Sequence, residues 1–422
     1  MGYGVEITSI FFYRFRAELQ PDIPAVNGAQ KTSKMKQYSK LLTALILTSL
    51  LLVSANAQKL YFPSDEWETR KPEELKMNRM WLDSAVSFAR NNESKVEKDL
   101  NIAILKAYGR EPGFTIVGPV KPRGGPAGMV IKGGYIVAQW GETDRVDMTF
   151  SVTKSFLSTM AGLAIDDGLI KSINDPVNRY VWDDKFEGPH NSKITWLHLL
   201  QQTSDWSGTL HGIHDWADRP PSRGTIDDWK RRTLNEPGTS YKYNDVRVNL
   251  LAYSLLNVLR KPLPVVLKER IMDPIGASTT WRWYGYENSW ENIDGVMMQS
   301  VSGGGHFGGG LFISAADQAR FGLLFLRKGN WNGKQLLSKT WVEDVVKTSA
   351  ASKTYGYMWW TNTGAPWKGV SEKVYHADGF GGNYIIIDDE NDLVVVVRWI
   401  DSPKIGEFMS LVVKSAGNSP VN

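Results

Sequence analysis

Ser151 and Lys154 are the residues whose types and spacing most directly suggest chemistry. Three positions apart on a helix, they share one face, so the lysine amine can reach the serine hydroxyl and take its proton. A serine hydroxyl is a poor nucleophile without such a base. Val152, Phe156, Leu157, Met160, Ala161, Leu163 and Ala164 cover most of the circumference around them, which predicts an interior helix. Apolar packing and the helix N-terminus both disfavour an ammonium and push the lysine towards a usable base. The spacing itself is common. Ser33 and Lys36 repeat it in a polar segment, and only the apolar setting distinguishes Ser151.

Other stretches could serve the same reaction. The turn Glu236–Asp245 ends on Tyr241, Tyr243 and Asp245, and can present a hydroxyl and a carboxylate together. Tyr243 would relay a proton if a neighbouring cation lowered its pKa, or would simply pack on the core. His376-Ala377-Asp378-Gly379-Phe380-Gly381-Gly382 leads into the strand expected at Asn383–Ile387. Glycines at a strand edge admit a ligand, whose carbonyl oxygen a main-chain N–H could hold, or they merely form a turn. The cluster Gly303–Gly310 has no following Lys-Ser/Thr and no preceding strand, which excludes a phosphate loop. Six scattered histidines show no ligand spacing, so no metal and no cofactor is expected.

Several elements must position these groups. Met129–Ile131 and Tyr135–Trp140 flank Gly133-Gly134 as a hairpin, and Gly168 caps the nucleophile helix. An amphipathic helix is expected over Glu73–Asn92, with helices at Ile194–Leu200, Asn249–Leu259 and Ala315–Leu326. Strands return at Tyr355–Trp360, Asn383–Ile387 and Leu393–Ile400, and a last helix starts at Ser402-Pro403. The fold class is therefore α+β: an antiparallel sheet from both chain ends, flanked by terminal helices, with a mainly helical insertion over about 170–345.

With 422 residues, 42% hydrophobic content and a net charge of +4, the chain is ordinary globular material with no case for nucleic-acid binding. It has no cysteine, which removes disulfides and a thiol nucleophile. Lys36 and Lys40, the apolar run Leu41–Val53 and Ala55-Asn56-Ala57 form a secretory leader over 35–57, cleaved after Ala57. The run is too short to span a bilayer, so no stable membrane span is expected in the mature, secreted or periplasmic protein. Residues 1–34 read as an over-extended start before Met35, 58–127 as a helix and linker, and 128–422 as the main domain.

Taken in order, the motifs resemble the penicillin-recognising serine hydrolases, which comprise class C β-lactamases, D-alanyl-D-alanine carboxypeptidases and related esterases and amide hydrolases. The resemblance runs from about Gly133 to Trp399. It rests on Ser151-Val152-Thr153-Lys154, Ile194–Trp206, Tyr243-Asn244-Asp245, Gly309–Phe321 and the region of His376 and Gly379. It implies that Ser151 is acylated, Lys154 is its base and Tyr243 shuttles the proton to the leaving group. The N–H groups of Ser151 and Phe380 would hold the oxyanion, and a small-molecule ester or amide would be the substrate. Three positions depart from the pattern. Asp245 replaces an Asn, Gln202-Thr203-Ser204-Asp205 replaces His-Thr-Ser-Gly, and Lys-Thr-Gly is missing. That last loss turns the expectation from β-lactamase or carboxypeptidase towards esterase or amidase, with a silent binding protein on the same fold as the other reading.

Overall fold

The computed structural model describes residues 60–417; the leader expected at 35–57 and the segment 1–34 lie outside the described residues. In chain order its main elements are α1 (Arg79–Asn91), α2 (Leu100–Tyr108), β1 (Ala127–Lys132), β2 (Tyr135–Trp140), β3 (Asp147–Met148), α3 (Thr153–Asp166) and α4 (Asp245–Leu259). They continue with β4 (Arg282–Ile293), β5 (Val296–Val301), β6 (Gly310–Ile313), α5 (Ala315–Leu326), β7 (Trp360–Thr361), β8 (Tyr375–Gly379), β9 (Asn383–Asp388), β10 (Leu393–Arg398) and α6 (Ile405–Ser415).

The run Leu393–Val397 is buried throughout, as β-branched residues in a covered strand should be. It lies inside a six-stranded antiparallel sheet of order β7-β8-β9-β10-β1-β2, so both ends of the chain build the sheet. Val395 pairs with Val130 on one side and Ile386 on the other. Side chains alternate between two cores. Val394, Val396, Ile385 and Met129 meet Phe156, Met160 and Phe321 of α3 and α5. Val395, Val397, Ile386 and Val130 meet Leu82, Phe408 and Val412 of α1 and α6. Each such side chain contributes roughly 1.5–3 kcal/mol by leaving water. Fold class and architecture are those expected.

Several elements differ from expectation. The insertion also supplies three strands of a four-stranded sheet of order β3-β6-β4-β5, whose edge strand β3 precedes α3. Its long hairpin turns at Asp294-Gly295, both in the left-handed region at φ 52 and 86. Of the strand expected over Tyr355–Trp360 only Trp360 is one, as the start of β7; the rest is a tight turn, because Met358 takes a φ of 62 and its N–H bonds the carbonyls of Leu200 and Gly356. His376–Gly379 is itself a strand, β8, and only Phe380–Gly382 turns. The first helix starts at Arg79, where the Asn78 side chain accepts from the Trp81 N–H. Residues 60–127 belong to the same compact unit as the rest of the described chain. Among the described residues no single helix is long and apolar enough to cross a membrane.

Candidate active site

Ser151 sits on a short 3-10 turn, Phe150–Val152, that runs directly into α3. Phe150 has a φ of 49, an unfavourable conformation for a bulky side chain that costs about 1–3 kcal/mol. It is held there by Phe380 and Trp399, whose rings lie 5.1 and 6.4 Å away. Thr149 N–H bonds Leu311 O, and Leu311 N–H bonds Thr153 Oγ1, fixing the turn to β6. Lys154 Nζ lies 2.8 Å from Ser151 Oγ. The spacing therefore brings the two together as the helix predicts.

Lys154 is fully buried and also meets Asp245 Oδ1 at 2.8 Å. Burial holds the amine below the usual lysine range, although Asp245 pulls the other way. Burial also opposes the charge on Asp245, yet Lys154 and then Arg219 outweigh it and keep this carboxyl well below its ordinary value. Asp245 thus does not stand in the cleft as a free anion. Its second oxygen accepts from the His306 N–H at 3.2 Å.

The loop carrying Tyr243 is positioned by the segment that departs from the family pattern. Gln202 Oε1 accepts from Asn244 N–H at 2.7 Å, and Gln202 Nε2 donates to the Tyr355 hydroxyl at 3.0 Å. Buried Arg247 of α4 pairs with Asp205 at 2.8 Å and Asp215 at 3.0 Å. These contacts pin the loop to the helix that supplies Asp245. Tyr243 lines the same cleft as Ser151. Cations do lie over its ring, Lys154 at 4.6 Å and Arg219 at 5.1 Å. Burial, reinforced by Asp245, nevertheless raises its pKa, so the cations do not produce the lowered value set as a condition above, and the phenol is neutral.

On the far side of Ser151 runs β8. A Cβ on Gly379 would stand 2.3 Å from Thr149 O and 3.3 Å from Ser151 N, so only glycine lets this strand lie so close. Phe380 follows directly in the chain, and it lines the cleft together with Ser151. His376 is elsewhere: it packs on Trp367 at 4.4 Å, belongs to the opposite face of the sheet, and is pushed down to about 3 by burial. Asp378 lines the cleft; burial pushes it up to about 7, against a hydrogen bond from Tyr384 and the charge of Lys154.

The cleft has a volume of about 680 Å³ and is walled by residues the sequence did not single out, among them Lys95, Lys106, Tyr108 and Arg219. Lys95, Lys106 and Tyr108 come from the stretch read as helix and linker. Glu111, Asp218 and His306 have donor atoms within 4.8 Å of one another, but these donors are already engaged. Asp218 binds Arg219 at 2.6 Å and the Asp245 N–H, and Glu111 binds His306 at 2.7 Å.

The pattern that defines the Beta-lactamase family matches residues 123–404 and so spans the serine, the lysine, the tyrosine and the glycine strand. The chain belongs to that family. It is a serine hydrolase of the β-lactamase family, as the motif order implied. It is 24% identical over 298 residues to a 6-aminohexanoate-dimer hydrolase of Paenarthrobacter ureafaciens, covering 64% of this chain and 70% of the relative. A family VIII carboxylesterase superposes with a TM-score of 0.53 at 15% identity, covering 83% of this chain and 99% of that one. An octameric penicillin-binding protein homologue from Pyrococcus abyssi superposes with a TM-score of 0.52 at 16% identity, covering 80% and 79%. The two superpositions speak to the fold.

Proposed function

We propose that the protein cleaves an ester or amide of a small molecule through an acyl-enzyme. The observation that carries this reading is the 2.8 Å contact between Lys154 Nζ and Ser151 Oγ at the floor of an open cleft. Neutral Lys154 takes the proton as Ser151 Oγ attacks the carbonyl carbon. The N–H groups of Ser151 and Phe380 hold the oxyanion, and Tyr243, receiving a proton from Lys154, gives its own to the leaving alkoxide or amine. Water then attacks the acyl carbon, its proton returns by the same route, and Ser151 is freed. A fluorophosphonate probe should label Ser151; a chain that fails to react would be a binding protein on this fold.

The substrate class follows from what faces the cleft. Where the family pattern has a threonine hydroxyl, Asp378 presents a carboxyl that ionises near neutrality. Arg219 does bring a cation, yet its NH1 is already taken by Asp218 and Asp245. A β-lactam carboxylate would meet Asp378, whereas a neutral ester, or an amide with an amine near the bond, would not be repelled. We expect kcat/KM for a p-nitrophenyl ester to exceed that for nitrocefin by a wide margin; the opposite order overturns this preference.

Tyr243 and His376 divide the proton chemistry. Tyr243→Phe should lower kcat by about 10²-fold or more, since it removes the relay and keeps the ring. His376→Ala should cost far less in rate, because His376 lies across the sheet from Ser151. The reverse pattern would place the proton on the histidine. We also propose that the leader over 35–57 exports the protein; N-terminal sequencing of the native protein should begin at Gln58.

A further inference from the structure

A carboxylate beside Lys154 is a liability for a base, because it favours the ammonium. Yet Asp245 stands there at 2.8 Å in a buried site. The structure also places a second cation on the same carboxylate. Arg219 NH1 lies 3.4 Å from Asp245 Oδ1 and 2.6 Å from Asp218, its guanidinium over the rings of Tyr243 at 5.1 Å and Tyr108 at 5.6 Å. Its backbone is in the left-handed region at φ 48, with its N–H on Glu111 Oε1 at 3.2 Å. So many constraints on one loop arginine require an explanation beyond surface packing.

We propose that Arg219 is a positioning residue that offsets Asp245, so that Lys154 can give up its proton and serve as the base. The inference rests on Ser151 and Lys154 being nucleophile and base. With Arg219 present, the trio of Lys154, Asp245 and Arg219 carries one net positive charge when the lysine is protonated and none when it is neutral. Asp218, 2.6 Å from the same NH1, shares this guanidinium, so the offset of Asp245 is partial. Asp245 can then orient the amine by a strong hydrogen bond without trapping its proton.

The other charged groups around the amine do not reverse this. Asp218 faces it from the same loop as Arg219, His306 and its partner Glu111 from the glycine-rich segment and the stretch after α2, and Asp378 from β8. Tyr243 and Tyr108 are neutral phenols, their pKa values raised by burial. On Lys154 the effect of Arg219 exceeds the opposing effect of Asp218.

The test is the pH profile of kcat/KM for the full chain with p-nitrophenyl acetate, a neutral substrate, in an Asp378→Asn background that removes the other group ionising near neutrality. Arg219→Gln should move the acid limb up by about 1 pH unit. Arg219→Lys should restore it, and adding Asp245→Asn to Arg219→Gln should bring it back towards the parent. If Arg219→Gln does not fold, Asp245→Asn alone decides: its limb should move down, and an unmoved limb overturns the inference. A lower rate at every pH with an unshifted limb in Arg219→Gln would mean a purely structural arginine and also overturns it. Lys154→Ala tells the two failures apart. If it stays active, the base reading falls and takes this inference with it; if it is dead while the Arg219→Gln limb is unshifted, this inference alone falls.

Discussion

Ser151→Ala and Lys154→Ala should each remove nearly all turnover, and the double variant should be little worse than either. The hydroxyl and amine are 2.8 Å apart and act on one proton, so removing either leaves the other without a task. A general base contributes roughly 10²–10⁴-fold, and a Lys154→Ala protein keeping more than about a tenth of the parent rate would contradict the role. Stability separates the two variants. Ser151 lines the cleft, and its loss leaves the buried Lys154 amine still paired with Asp245. Lys154→Ala leaves the buried Asp245 carboxylate with only the longer 3.4 Å ion pair to Arg219, and breaking a buried pair costs up to about 3–5 kcal/mol. Thermal melts should therefore show Ser151→Ala close to the parent and Lys154→Ala well below it. Adding Asp245→Asn to Lys154→Ala should recover much of the stability and none of the activity.

That pair was legible because helical geometry is local: residues i and i+3 share a face whatever the rest of the chain does. The valine run at Leu393–Val397 and the Gly133-Gly134 hairpin were legible for the same reason. What sequence reasoning missed is contributed from a distance. Arg219 lies 65 residues beyond Lys154 in an irregular loop, where no periodicity points at a partner; an Asp218-Arg219 pair ahead of two prolines was the available signal. The hairpin of β4 and β5 is rich in Glu, Asn and Ser, which hid its strands, although Asp294-Gly295 between Ile293 and Val296 is a strong two-residue turn. Asp378 interrupts the apolar pattern of β8, so that strand read as a turn. The charge of Asp245 was visible in the sequence, whereas its pairing with Lys154 and Arg219 was not.

Gly304→Ala should abolish activity in a protein that still folds. This glycine belongs to the cluster that failed as a phosphate loop, and the structure gives it another use. A Cβ there would fall 2.2 Å from both Lys154 Nζ and Asp245 Oδ2. These contacts, with Asp245 Cγ at 2.8 Å, are all to side chains, so the buried ion pair rather than the backbone must give way. The amine, however, cannot retreat and keep its 2.8 Å contact with Ser151 Oγ. A displacement near 1 Å at a reacting group can cost about 10²-fold, and kcat/KM should fall at least that far. Gly322→Ala is the useful contrast, since its Cβ would meet Val394 Cγ1 of the packed sheet at 2.5 Å. Overpacking of that kind costs typically about 1–3 kcal/mol and should lower the melting temperature while sparing turnover per folded molecule. If Gly304→Ala instead behaves like Gly322→Ala, less stable but active, Lys154 can reach Ser151 by another path and its observed position is not the one that matters for catalysis.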